Sequence, residues 1–148
     1  MTQMTQHEGA SMVNAGRQEA AHAHCAVISP NGKHMYVCDL GTDQIVGYAL
    51  EAESAALSPL DQAYVRTIGG GGPRHFAFHP SRPFAYVNNE MTSTVTAFAY
   101  DARKGVLVEI ETLSTLPEGF QGGNSTAELR VHPSGRFLYV SNRGHDSV

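Results

Sequence analysis

Apolar and polar residues alternate in short bursts along this chain, and the bursts come in three sets. Before Pro30, Pro80 and Pro133 the apolar positions are Ala26 and Ile28, Phe76 and Phe78, Leu129 and Val131. Alternation with period two puts one apolar face on a half-buried strand. A tight turn follows each burst. Two copies carry Pro30-Asn31-Gly32 and Pro133-Ser134-Gly135, where glycine supplies the positive φ of a short hairpin. The middle copy has Ser81-Arg82-Pro83, so its turn must be built differently. A second strand is predicted over 35–38, 84–87 and 137–140, then a polar corner, then a third strand over 45–50 and 95–100. Fourth strands are expected over 64–68 and 107–113.

The three sets are imperfect copies of one unit, covering 24–45, 74–95 and 127–148. The prolines stand 50 and 53 residues apart, and each is followed six residues later by a tyrosine, Tyr36, Tyr86 or Tyr139. A repeat of this length holding four antiparallel strands is one blade of a β-propeller. The expected fold is therefore all-β, with four-stranded antiparallel blades at about 22–68, 72–116 and 124–148, the last incomplete. Residues 1–16 show no apolar period and read as a disordered N-terminal segment preceding the partial propeller of 17–148.

In an up-and-down blade the start of the first strand and the end of the second lie at the same end of the sheet. The slot six residues before the proline holds His24, Arg74 and Ala127; the slot ten residues after it holds Leu40, Glu90 and Arg143. His24, Arg74, Glu90 and Arg143 should thus crowd one rim. Packing gives a repeat no reason to place a different charge at the same slot in each copy, whereas a site built on a repeat scaffold does. Asp43, Ser93 and Asp146, thirteen residues after the prolines, read as caps of polar corners. His79 and His132 belong to the opposite end of the first strand and read as structural.

The segments GGGGPRHFAFHP (69–80), NNEMTST (88–94) and NSTAELRVHPSGRFLYVSNRGHDSV (124–148) resemble the lactonase family of seven-bladed β-propellers. So do RQEAAHAHCAV (17–27) and CDLGTDQIVGY (38–48). That family includes propeller-type 6-phosphogluconolactonases and carboxy-cis,cis-muconate cyclases. The resemblance implies active-site positions at His24, Arg74, Glu90 and Arg143, with His22 and Asp39 at further positions of the pattern. It also implies a small anionic lactone as substrate. Arg74 and Arg143 would hold its phosphate or carboxylate, and one of them would stabilise the oxyanion. Glu90 would activate water as general base and His24 would protonate the ring oxygen, or the two would exchange roles. The activity implied is hydrolysis of the 6-phosphogluconolactonase type, within carbohydrate metabolism and the pentose phosphate pathway. A muconate-type lactone-forming cyclase on the same site is the alternative within the family. A non-catalytic binding platform is the alternative from another class, but it calls for aromatic residues where these slots carry His, Arg, Glu and Arg. The family has seven blades and this chain about two and a half to three. The chain is therefore expected to be a fragment or a truncated gene model, inactive alone and prone to self-association through open blade edges.

Composition narrows the reading further. The 148 residues are 41% hydrophobic and 16% charged, which suits a soluble β protein. A net charge of −4 leaves no basic footprint for nucleic acid. No apolar stretch is long enough for a membrane helix and no signal-peptide core stands near the start, so a cytoplasmic location without membrane contact is expected. Cys25 and Cys38 fall in adjacent strands and read as free thiols. His22 and His24 share a strand face and could join His75, Glu90 or Glu128 around a metal, but the neighbouring arginines oppose a cation. Neither metal nor cofactor is expected. The run Gly69 to Gly72 lacks the Lys-Ser/Thr of a phosphate loop and reads as a swing between blades. With no Gly-x-Ser-x-Gly elbow, a serine-hydrolase mechanism has no nucleophile.

Overall fold

A computed structural model describes residues 3–148, whose regular structure is all strand. The first blade is β1 (Ala23–Ile28), β2 (His34–Asp39), β3 (Gln44–Leu50) and β4 (Leu57–Arg66). The second is β5 (Pro73–Phe78), β6 (Phe84–Asn89), β7 (Thr94–Asp101) and β8 (Val106–Ser114), and β9 (Ser125–Val131) pairs with β10 (Leu138–Arg143) in a third sheet. All pairs are antiparallel neighbours in chain order, as turns too short for a crossover require.

The turns follow their residues. Gly32 and Gly135 have φ of 69° and 71°. The middle turn does without positive φ and closes instead on a bond from Phe84 N to Arg82 O of 2.8 Å. His79 Nδ1 accepts from the backbone N–H groups of Ser81 and Arg82 at 3.1 and 3.0 Å, and His132 Nδ1 accepts from that of Ser134 at 3.1 Å. Both histidines cap their turns.

The core lies between the first two blades. Tyr36 stacks on Phe76 with ring centroids 5.5 Å apart and meets Phe78 and Tyr100 edge-on. Cys38, Ile45, Ala85, Val87, Phe98 and Leu107 complete the cluster. Cys25 and Cys38 oppose each other in the β1–β2 ladder as free thiols. No helix of the described residues is long and apolar enough to cross a membrane.

Two expectations need correction. β4 begins at Leu57 rather than at 64 and runs through Pro59. An outer strand has one unpaired edge, so a missing N–H there interrupts no ladder. The β3–β4 register also slips between Val46 and Tyr48, which breaks the alternation. The second correction concerns the N-terminal segment. Residues 3–16 form no strand, but they are not loose against the first blade. Gln3 bonds both backbone groups of Leu57 at 3.0 and 2.8 Å. The His7 ring bridges Asp39 at 2.7 Å and the Tyr48 hydroxyl at 2.9 Å. Ser11 donates from its backbone to Gly41 O at 2.8 Å and from its hydroxyl to Asp43 at 2.5 Å. Polar side chains make this contact, and an apolar period cannot register them. Residues 1 and 2 of the expected disordered segment lie outside the described residues.

Candidate active site

The ladders pair Ala23 with Asp39, Pro73 with Asn89, and Ser125 with Arg143. The starts of β1, β5 and β9 and the ends of β2, β6 and β10 therefore share one rim. His24 and Arg74 are the second residues of β1 and β5, Glu90 follows β6, and Arg143 ends β10.

Glu90 is the hub. It is 5% exposed, and its backbone N–H donates to Gly72 O at 2.8 Å while its carbonyl accepts from Thr126 N at 3.0 Å. Its carboxylate meets three guanidinium groups: Arg17 Nη2 is 2.7 Å from Oε1, and Arg74 Nε and Arg143 Nη2 are 2.8 and 3.3 Å from Oε2. Burial pushes its pKa up, but the Arg17 hydrogen bond and the charges of Arg17, Arg143 and Arg74 outweigh burial, and the net direction is down. Glu90 is thus firmly ionised, which makes it a weak base.

Arg74 is the most constrained of the three arginines. Its Nε is taken by Glu90, and its Nη1 reaches His75 Nε2 at 3.1 Å and Ala127 O at 2.5 Å. Arg143 is half-exposed and also donates to Thr126 O at 3.3 Å. His24 lies beside them, its ring centroid 5.2 Å from that of His75. Burial first, then the charges of Arg74 and His75, lower its pKa, against an opposing pull from Glu90. The imidazole is therefore neutral at neutral pH, free to accept a proton. His75 in turn faces Glu128 at 3.2 Å, which Arg130 also holds at 2.9 Å.

Of the two further positions, Asp39 does not join the cluster. It is fully buried, and its Oδ1 accepts from the backbone N–H groups of His22, Gly41 and Thr42 at 2.8, 3.1 and 3.2 Å, while Oδ2 binds His7. With its lone pairs taken up in closing the corner, Asp39 positions the chain near His22 and has nothing left for a substrate. His22 turns its Nε2 to Glu19 at 3.1 Å. Among the described residues, no three His, Cys, Asp or Glu side chains are grouped to hold a metal.

Arg17 is the residue that the repeat slots missed. It precedes the first copy of the unit, so no alignment of copies can flag it; its only trace was its place at the head of the stretch 17–27. It lines a cavity of about 330 Å³ with Glu19, His22, Ala23, His24 and Leu40. A second cavity of about 280 Å³ runs between β1, β5 and β9, past Cys25, His75 and Glu128.

Comparison with known proteins places this geometry. The family model described as "Lactonase, 7-bladed beta-propeller" matches residues 1–148. A 6-phosphogluconolactonase of Bacillus subtilis is 36% identical over 138 residues, covering 89% of this chain and 37% of that protein. One from Pectobacterium carotovorum is 40% identical over 120 residues, covering 81% and 36%. The structure of a periplasmic gluconolactonase of Pseudomonas aeruginosa superposes with a TM-score of 0.89 at 37% identity, covering 98% of this chain and 40% of that one. The chain thus spans well under half the length of these relatives. A family match over its whole length, together with consecutive four-stranded blades, shows that the chain belongs to the lactonase family of seven-bladed β-propellers.

Proposed function

We propose that the whole protein is a lactonase that opens a small anionic sugar lactone with water, as the names of its 6-phosphogluconolactonase relatives imply. The observation that carries this reading is the grouping of His24 with a carboxylate held by three arginines on one rim of the family fold.

The roles differ from the first expectation for Glu90. A carboxylate bound by three guanidinium groups is a poor proton acceptor, whereas His24 is neutral and available. His24 takes a proton from water as the water oxygen bonds to the lactone carbonyl carbon. The negative charge that develops on the carbonyl oxygen falls to guanidinium N–H groups. Arg74 Nη2, which has no partner among the described residues, is the preorganised candidate. When the tetrahedral centre collapses, the carbon–ring-oxygen bond breaks and His24 returns its proton to the leaving ring oxygen, giving the hydroxy acid. Glu90 acts as a positioning residue that holds the arginines in place.

The test is a panel of sugar lactones, phosphorylated and not, assayed on the whole protein with its variants. His24→Asn is expected to lower kcat by ~10²–10⁴-fold and to abolish the acid limb of the rate profile. Glu90→Gln is expected to raise KM and lower kcat together while the acid limb persists. Loss of that limb in Glu90→Gln would return the base role to Glu90, and absence of turnover on every lactone would sink the reading.

A further inference from the structure

Cys25 and Cys38 take no part in the proposed reaction, yet the fold sets them face to face. They are direct partners in the β1–β2 ladder. The same two slots of the unit hold His75 and Asn88 in the second blade, and Glu128 and Ser141 in the third sheet. There the second residue serves the backbone of the first. Asn88 Oδ1 accepts from His75 N, and Ser141 Oγ accepts from Glu128 N, both at 2.9 Å. A thiol is a poor acceptor for that duty. The repeat therefore gives no structural reason for cysteine in both slots of the first blade.

The two thiols are unequal. Cys38 is fully buried in the core, and burial above all raises its pKa, so it stays a protonated thiol. Cys25 is partly exposed on the wall of the cavity of about 280 Å³ between β1, β5 and β9, which His75, Glu128 and Arg130 also line. A hydrogen bond from the Cys38 thiol stabilises the Cys25 thiolate against the cost of burial. The backbone N–H groups of Phe76 and Cys38 add to this against the Glu128 charge, and the pKa of Cys25 is lowered to about 7. Directly opposed residues of an antiparallel pair have Cα atoms about 4.5–5.5 Å apart, inside the ~4.4–6.8 Å that a disulfide spans. The ladder also slips between Ala23 and Cys25, and an irregularity of this kind lets the Cys25 side chain re-aim.

We propose that Cys25 and Cys38 are an oxidisable dithiol: Cys25 attacks a hydroperoxide that enters from the cavity, and Cys38 resolves the product to a cross-strand disulfide. In the first step the Cys25 thiolate sulfur bonds to one peroxide oxygen and the O–O bond breaks. Sulfur is oxidised to the sulfenic acid, the peroxide is reduced, and its other oxygen takes a proton and leaves as water or an alcohol. In the second step the Cys38 sulfur bonds to the Cys25 sulfur and the S–O bond breaks. The hydroxide leaves with the Cys38 proton as water. The experiment treats the whole protein, folded, with hydrogen peroxide, then alkylates free thiols and maps the peptides by mass. A linked pair of peptides carrying Cys25 and Cys38 is expected, lighter by two hydrogen atoms and separated again by dithiothreitol. Cys38→Ala should give no linked pair and hold Cys25 as a sulfenic acid that dimedone labels. Cys25→Ala should slow oxidation of Cys38 by about tenfold or more, because a buried thiol does not meet the oxidant. The unaltered protein decides the matter even where a variant fails to fold. Both thiols still open to alkylation after peroxide would overturn the proposal. So would Cys25 linked only to a second molecule, or Cys38 oxidised as fast in Cys25→Ala as in the unaltered protein.

Discussion

His24 owes its neutrality to its surroundings. Burial and the Arg74 guanidinium both disfavour the imidazolium, so its folded pKa lies below the ordinary 6.5. A depressed histidine pKa contributes stability above the unfolded value and loses it as pH falls through the folded value. The rate consequence has the same sign. We expect kcat/KM to stay level through neutral pH and to fall about tenfold per pH unit only below 6.5. A pH–rate series with its acid limb centred at or above 6.5 would contradict a depressed His24. The charges at the slots of His24, Arg74, Glu90 and Arg143 were legible in the alignment of copies. The pKa directions were not, because they come from residues brought together across blades. Asp39 shows the same limit from the other side: its match to the family pattern was readable, and its consumption by three backbone N–H groups was not.

Between elements, one repeat slot carries different loads in different blades. Asp43, Ser93 and Asp146 all adopt positive φ, at 56°, 53° and 52°, as corner caps should. Asp146 is exposed and accepts one bond from Gly144 N at 3.2 Å. Asp43 is buried and accepts from Ser11, Gln18 and the backbone N–H groups of Gly70 and Gly72, the last two at 2.7 and 2.9 Å. It ties the N-terminal segment and the inter-blade glycine run to the first blade. An alanine at either position bears the same left-handed backbone, so the difference between the two variants reads the lost acceptor. Asp43→Ala should destabilise the protein by about 3 kcal/mol more than Asp146→Ala. Urea unfolding of the two variants measures this, and equal midpoints would show that the four donors find other partners. The inner strands and their turns could be read from alternation and glycine. β4 could not, since an unpaired edge tolerates a proline that sequence reasoning counts against a strand.

Across the whole molecule, burial depends on the next blade. Tyr36 and Tyr139 occupy the same slot of the unit, yet Tyr36 is 2% exposed and Tyr139 is 46% exposed. The second blade covers Tyr36 with Phe76, Phe78 and Tyr100, and no described strand covers Tyr139 in that way. Ile28, Phe137, Val108 and Ile110 are likewise more than half exposed. Apolar faces and open ladder edges of this kind associate. We expect the 148-residue chain by itself to self-associate and to show no lactone turnover. Size-exclusion chromatography with a lactone assay checks this, and a stable monomer with full turnover would contradict it.

The sequence by itself determined the unit, its period, its strand order and the charged slots of one rim. These are local properties, set by alternation, turn residues and spacing. Only the tertiary structure decided that Arg17 joins the cluster, that the Glu90 carboxylate meets three guanidinium groups, and that Asp39 is buried under backbone hydrogen bonds. Each of these depends on groups 16 to 73 residues apart in the chain meeting in space. A hydrogen bond between such groups leaves no periodic trace in the sequence, because one polar side chain placed once repeats nowhere.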